Sequence, residues 1–324
     1  MRCAAYERWV RRWLILAFAL GLPALQLVAE PALTPAAVTP SAATSAAAAE
    51  PAAPSPSVTA PAPAAANYDF CSAQTEKLAN GVCFFAPEKA VSPSGKRTLV
   101  IFLHGLIEEG QGWEHTMQQG MILYAKKHGF SLLFPRGRNG VGPDRKPSVI
   151  AWPLGPDVRE AHEEAVLAEW AEARKLVEAK SGAFDEVFVM GFSNGAYFSA
   201  SLALRNKLEV DGYALFAGGS KSALGNLKKP PANARPIFVG VASKDGTTRD
   251  KAKELVKALV KVKWPHKAEA RKVGHVVGDA HIDAALAYLR AKKSGVAAPP
   301  APTKKAPPSA APTKGRTSSK RRAK

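Results

Sequence analysis

The residues EVFVMGFSNGAYFSA, at positions 186–200, decide the fold. The first five residues are apolar after the initial glutamate, which is typical of a buried central strand. The next five residues form a G-x-S-x-G motif around Ser193, and small residues follow in a predicted helix over 194–207. A strand, a sharp turn and a helix in this order present a serine hydroxyl above the sheet. The stretch therefore predicts a nucleophile at Ser193.

Further apolar runs predict strands around this one, at 98–103, 130–134, 212–216, 237–242 and, more weakly, 268–273. Amphipathic segments between them predict helices, one capped by Asp157, one with its apolar face at 252–260, and a last one capped by Asp279. Strands that alternate with helices indicate an α/β fold with a mostly parallel, doubly wound sheet flanked by helices. Sites in such sheets form at the carboxyl ends of the strands.

Four short segments fall at such ends: Leu103-His104-Gly105-Leu106, the motif at 191–195, Ser243-Lys244-Asp245 and Gly274-His275. Through them the region 98–290 resembles the α/β-hydrolase superfamily. Within it, the region is similar to single-domain esterases related to polyhydroxybutyrate-depolymerase-like and feruloyl-esterase-like proteins. The resemblance implies the chain order serine, acid, histidine, and so it implies Ser193, Asp245 and His275 as a catalytic triad.

Each triad position has a competitor. Asp250 follows Asp245 closely, but we expect it inside the next helix. His281 competes with His275, but we expect it in the first turn of the last helix, where the helix dipole disfavours a developing cation. The strand and glycine that precede His275 also favour it as the general base.

Two backbone N–H groups are expected to bind the oxyanion, those of Leu106 and Asn194. Two long loops, 107–119 and 136–156, are expected to shape the substrate cleft. Trp113 and Trp152 in these loops are candidate substrate contacts, although Trp152 also fits a simple packing role. The proposed chemistry needs no cofactor. A metal site at Cys71 and Cys83 is not expected, because no histidine lies near enough to complete a ligand set.

The composition is uneven along the 324 residues. Residues 30–67 are almost entirely Ala, Pro, Ser, Thr and Val, and residues 294–324 are basic with no acidic residue, so both are expected to be disordered. The catalytic domain is assigned to 68–293. The net charge of +18 lies largely in the tail and on predicted helix faces. Without a recognition motif it indicates no specific nucleic acid, but either attraction to an anionic cell-envelope surface or a solubilising tail.

The first 29 residues combine an arginine-rich start with an apolar run, which is typical of an export signal. The run is nearly long enough to act as an uncleaved membrane anchor. Export to the periplasm or outside the cell favours a disulfide between Cys71 and Cys83, which flank a hairpin with a type I′ turn expected at Asn80-Gly81. Two buried free thiols are the alternative.

These observations predict an exported serine hydrolase, a monomer acting on a small or polymeric carboxylic ester through an acyl-enzyme. The same triad would also serve a peptidase or amidase. A non-catalytic cell-surface binding protein on the same fold is the third interpretation.

Overall fold

A computed structural model describes residues 69–89, 91–92 and 95–293. The predicted signal or anchor at 1–29, the whole linker at 30–67 and the tail at 294–324 lie outside the described residues, as does residue 68. All described residues belong to a single compact unit. Within them, no helix is both long and apolar enough to cross a membrane.

Eleven strands are found in the described residues: β1 (Glu76–Lys77), β2 (Cys83–Phe85), β3 (Thr98–Leu103), β4 (Ile107–Glu108), β5 (Phe130–Phe134), β6 (Arg138–Asn139), β7 (Val149–Ala151), β8 (Glu186–Phe192), β9 (Gly212–Phe216), β10 (Ile237–Ala242) and β11 (His266–Arg271). Eight of them form the central sheet in the order β1-β2-β5-β3-β8-β9-β10-β11. From β5 to β11 the neighbours are parallel, and β1 and β2 join antiparallel at one edge. The predicted doubly wound sheet is confirmed.

The last strand of the sheet differs from its prediction in position. It covers 266–271, two residues earlier than expected. β11 pairs only with β10 and its side chains alternate between exposed and half-buried. An edge strand of this kind lacks the continuous apolar run that marks the buried strands, so its ends are hard to locate from sequence.

Five α-helices accompany the strands in the described part of the chain: α1 (Trp113–His128), α2 (Pro156–Ser181), α3 (Asn194–Leu204), α4 (Arg249–Lys261) and α5 (Asp279–Lys293). The expected cap at Asp157 is wrong, because Gly155 precedes the helix and Pro156 begins it. Proline fits the first helical position, where its missing N–H leaves no hydrogen bond unmade. Asp279 is likewise the first residue of α5 rather than a residue before it.

The core has two apolar layers, one on each face of the sheet. Alternate residues of β3 point to opposite faces, so Leu99 and Ile101 enter one layer while Val100 and Phe102 enter the other. The first layer packs against α2, α3 and α4, and the second packs against α1 and α5. The buried strands are therefore covered on both sides, as their continuous apolar sequences require.

A disulfide links Cys71, which precedes the first hairpin, to Cys83 at the start of β2, as expected. The turn type differs from the prediction. Gly81 has a positive φ of 83°, but Asn80 does not, and a type I′ turn needs positive φ at both positions. The Gly81 N–H donates to the Leu78 carbonyl, and the Leu78 N–H donates to the Val82 carbonyl. The hairpin loop is therefore one residue longer than a type I′ connection.

The two long loops pair with each other. Within the described residues, β4, β7 and β6 form a separate antiparallel sheet in that order. Ile107 pairs with Ile150, and Arg138 pairs with Ala151. This three-stranded sheet lies directly after the segment 103–106 and directly before Trp152, so it connects the two loops expected to shape the cleft.

Candidate active site

Ser193 lies at the sharp turn between β8 and α3. Its backbone has φ 51° and ψ −116°, a conformation that residues with a side chain rarely adopt. Such strain costs about 1–3 kcal/mol and persists only where the surrounding structure enforces it. The Ser193 N–H donates to the Phe216 carbonyl at the end of β9. Ser193 is therefore the residue immediately before α3, and it lies at the carboxyl ends of β8 and β9.

The two glycines of the motif are required by close backbone contacts. A Cβ atom on Gly191 would lie 2.4 Å from the Gly195 carbonyl oxygen. One on Gly195 would lie 2.2 Å from the Leu103 carbonyl oxygen and 2.6 Å from that of His104. Neither distance is compatible with a side chain, so glycine allows β8, α3 and the end of β3 to approach each other.

The structure brings Ser193, Asp245 and His275 together. His275 Nε2 lies 2.9 Å from Ser193 Oγ, and His275 Nδ1 lies 2.7 Å from Asp245 Oδ2. The three residues follow β8, β10 and β11, respectively, so they meet at the carboxyl edge of the sheet. With its Nδ1–H donated to the carboxylate, the imidazole can accept the serine proton at Nε2.

Asp245 is buried and accepts several hydrogen bonds. Its Oδ1 accepts the N–H groups of Thr247 (2.8 Å) and Thr248 (3.3 Å), and its Oδ2 accepts the Thr248 hydroxyl and His275. Burial acts to raise the pKa of this carboxyl, but the hydrogen bonds outweigh it and lower the pKa to about 2. Asp245 is thus a carboxylate at neutral pH. Thr248 was not among the predicted site residues, although an aspartate that accepts the N–H two residues further on, as Asp245 does from Thr247, is a known turn pattern.

The competing residues lie elsewhere. Asp250 is in the first turn of α4, as expected, and pairs with Arg249 at the surface. His281 is in the first turn of α5, also as expected, and is 1% exposed. Its Nε2 lies 3.1 Å from the Glu269 carbonyl, and burial lowers its pKa. His275, in contrast, is partly exposed beside the Phe192 ring, at a centroid distance of 4.9 Å.

The expected oxyanion donors flank the serine. Among the hydrogen bonds of the described residues, none is donated by the backbone N–H of Leu106 or of Asn194. A Cβ atom built on Gly105 would lie 3.3 Å from Ser193 Cβ, so the loop after β3 passes directly beside the nucleophile. Asn194 is the first residue of α3, where backbone N–H groups have no partner within the helix. Neither N–H group thus has a hydrogen-bond partner in the described part of the chain, and their role as oxyanion donors stays a prediction.

His104 is a buried structural residue of this loop. Its Nε2 accepts the Gly137 N–H at 3.0 Å, so its Nδ1 carries the proton and donates to the Gly105 carbonyl at 2.6 Å. Burial lowers the pKa of His104 to about 4, which keeps the ring neutral. A neutral ring with both nitrogens bonded to backbone has no proton acceptor left for catalysis. The expectation that His104 is not the base agrees with these contacts.

The expected substrate contact at Trp152 is wrong. The side chain has no exposed surface, because it is enclosed by Phe198, Trp170 and His104. A ring in this position cannot stack on a substrate. Trp113, the other candidate, begins α1 and is 45% exposed, so its side chain remains available for contacts. In the described residues, no cluster of three or more histidine, cysteine or acidic side chains is arranged to hold a metal ion.

A mostly parallel sheet covered by helices on both faces, with the serine on the turn after its central strand, defines the class of this protein. The described residues have the α/β-hydrolase fold, as the sequence resemblance implied. Residues 125–276, just under half of the chain, match the model of the dienelactone hydrolase family. The match includes Ser193, Asp245 and His275. The closer likeness to polyhydroxybutyrate-depolymerase-like and feruloyl-esterase-like proteins stays a prediction.

Solved structures of several esterases are similar to this chain. Esterase PE8 has 18% identity and a TM-score of 0.44, covering 64% of this chain and 96% of its own. A carboxylesterase from Mesorhizobium loti has 21% identity and a TM-score of 0.44, with coverages of 65% and 95%. Acyl-protein thioesterase 2 from Zea mays has 16% identity and a TM-score of 0.45, with coverages of 65% and 98%. The comparison with curated proteins gave no match.

Proposed function

We propose that this protein is a serine hydrolase that cleaves a carboxylic ester through an acyl-enzyme on Ser193. The observation that supports this proposal most directly is the pair of hydrogen bonds made by His275, one to Ser193 Oγ and one to Asp245 Oδ2. The match to a hydrolase family supports ester hydrolysis.

In the proposed reaction, His275 Nε2 takes the Ser193 proton while Oγ attacks the ester carbonyl. The tetrahedral intermediate carries a negative charge, which the N–H groups of Leu106 and Asn194 stabilise. His275 then returns the proton to the leaving alkoxide, and the acyl group stays on Ser193. His275 then takes a proton from water, whose oxygen attacks the acyl-enzyme; the second tetrahedral intermediate releases the acid as the bond to Oγ breaks and His275 returns the proton to Ser193. Asp245 stabilises the imidazolium in both steps and holds its Nδ1–H.

Labelling with a fluorophosphonate probe tests the nucleophile. Wild-type protein should be labelled, and Ser193→Ala should not be. Labelling of the alanine variant at the wild-type rate would show that the nucleophile lies elsewhere. Hydrolysis of p-nitrophenyl esters, compared with p-nitroanilides of the same acyl groups, separates an esterase from a peptidase or amidase. A preference for the anilides would refute the ester assignment.

The general base is tested by a matched histidine pair. His275→Ala should lower kcat by several orders of magnitude, because the serine proton then has no acceptor. His281→Ala removes a buried ring that touches neither Ser193 nor Asp245, so its effect should fall mainly on stability. A large kcat loss in His281→Ala with wild-type-like activity in His275→Ala would reverse the assignment.

We further infer that the protein is exported, to the periplasm or beyond the cell, with or without cleavage after Ala29. The Cys71–Cys83 disulfide supports an oxidising compartment. Cell fractionation and the intact mass of the purified protein test this inference. Recovery of only full-length protein in the cytosol would refute it. Removal of residues 294–324 should weaken salt-sensitive binding to anionic envelope fractions and leave ester hydrolysis unchanged.

A further inference from the structure

Trp152 connects the two segments that carry the expected oxyanion donors. It lies immediately after β7, and it is fully buried, yet both of its N–H groups bond to the active-site region. We infer that Trp152 is a positioning residue that sets the separation and direction of the Leu106 and Asn194 N–H groups. The inference rests on the proposed function, because it concerns the oxyanion of that reaction.

The first connection runs from the indole ring to the loop after β3. Trp152 Nε1–H donates to the His104 carbonyl at 2.8 Å, which fixes the peptide plane between His104 and Gly105. The next carbonyl, that of Gly105, is held by the His104 ring at 2.6 Å. In a trans peptide the C=O and N–H point in opposite directions. Fixing the Gly105 carbonyl therefore also fixes the direction of the Leu106 N–H.

The second connection runs from the backbone of Trp152 to the residue after the nucleophile. The Trp152 N–H donates to Asn194 Oδ1 at 2.8 Å, and both groups are buried. Asn194 is thereby tied to the same residue that holds the opposite donor segment. One rigid residue thus spans the two sides of the oxyanion site, and the distance between these sides depends on its position.

The surrounding packing fixes the position of the indole. It stacks on Phe198 of α3, with the planes 6° apart and the centroids 5.9 Å apart. The indole also packs almost at a right angle to the ring of Trp170 in α2, with the ring centroids 5.6 Å apart. The pairing of Ile107 with Ile150 adds a backbone connection between the same loops. Because protein interiors are close-packed, the ring has little freedom to shift.

Loss of this support should act on the transition state more than on substrate binding. The oxyanion exists only after attack, so misdirected donors raise the barrier but leave ground-state affinity nearly unchanged. A displacement of about 1 Å in such a group can cost about 100-fold in rate. We therefore expect a lower kcat with a KM close to that of the wild type.

Trp152→Phe and Trp170→Phe form a matched pair for the test. Both tryptophans are buried in one aromatic cluster, but Trp170 Nε1 has no hydrogen-bond partner among the described residues. The two variants thus lose similar packing, and only the first loses a bond to the oxyanion segment. With a p-nitrophenyl ester, Trp152→Phe should lower kcat by about 10- to 100-fold with KM within about twofold. Trp170→Phe should stay within about threefold of wild-type kcat.

A second variant separates the hydrogen bond from stability. Replacing Trp152 by 3-benzothienylalanine exchanges the indole N–H for sulfur and keeps the ring volume, so the fold should be retained even if Trp152→Phe unfolds. This protein should reproduce the kcat loss and bind a trifluoromethyl ketone, which forms a tetrahedral adduct with the serine, more weakly by a similar factor. Equal kcat in the benzothienyl protein and the wild type would overturn the inference. Absence of ester hydrolysis in the wild type would instead overturn the proposed function.

Discussion

Asp245→Asn gives the sharpest test of the site, because the structure determines how the new amide must lie. In the wild type, Asp245 Oδ1 accepts two backbone N–H groups, from Thr247 and Thr248, and Oδ2 faces His275 Nδ1 at 2.7 Å. The asparagine oxygen must keep the position of Oδ1, since an amide NH₂ there would oppose two donors. Its NH₂ group is then placed against His275 Nδ1.

This orientation selects the wrong histidine tautomer. An NH₂ facing Nδ1 makes that nitrogen an acceptor, so the ring proton moves to Nε2, which then donates to Ser193 Oγ instead of accepting from it. The imidazole can no longer accept the serine proton, and the imidazolium loses its carboxylate. The same change in a serine protease triad lowers kcat by about 10⁴, which corresponds to about 5 kcal/mol of barrier. We expect a loss of this size for Asp245→Asn with little change in KM.

The assay is steady-state hydrolysis of a p-nitrophenyl ester near neutral pH, with Asp250→Asn as the control. Asp250 is exposed and pairs only with Arg249 in the described structure, so its amide variant should keep wild-type kcat. The far-UV circular dichroism of both variants should match that of the wild type. A kcat for Asp245→Asn within tenfold of the wild type, or a greater loss in Asp250→Asn, would refute the reasoning.

Two further predictions concern stability. Gly195→Ala should destabilise the fold by about 2–3 kcal/mol, because the added Cβ would lie 2.2 Å from a carbonyl oxygen of β3. Gly120→Ala is the control, since Gly120 lies in a helix with open space around it. This variant should stabilise the fold by about 1 kcal/mol. Equal thermal unfolding midpoints for the two variants would contradict the close packing of the turn. The pKa of His104 is about 4 in the folded protein and 6.5 for a free histidine. The unfolded chain therefore binds a proton at His104 more readily than the folded protein does. The contribution of His104 to the free energy of unfolding should therefore be fully present above about pH 6.5. It should fall by at most about 3 kcal/mol as the pH is lowered towards 4. In urea titrations at several pH values, His104→Gln should show a shallower decline.

Much of the fold followed from local sequence. The continuous apolar runs at 98–103, 130–134, 212–216 and 237–242 match the observed strands at both ends, since strands buried on both faces carry a strong and uninterrupted signal. The turn around Ser193 was also readable, because close contacts of a strand and a helix demand glycine at two fixed positions. Helix starts were less predictable, as Asp157 illustrates. Several residue types can begin a helix, and here proline does so.

The candidate site was readable only in part. The sequence order of Ser193, Asp245 and His275 was informative because parallel strands place their carboxyl ends at one edge of the sheet. Choosing between His275 and His281 required an inference about helix position, and both positions agree with the structure. Thr248 was overlooked, because its contact with the carboxylate depends on a turn conformation that the sequence permits but does not require.

The sequence by itself therefore determined which segments are buried, where the serine turn falls and which ionisable residues reach the carboxyl edge of the sheet. Each of these three features depends on residues that are close in sequence or on the order of the strands along the chain. Only the tertiary structure decided the role of Trp152, which lies 42 residues from Asn194 and 48 from His104. Its indole looked equally suited to a substrate or to the core. The pairing of two irregular loops buried it, and pairing over such distances depends on packing that no local pattern encodes.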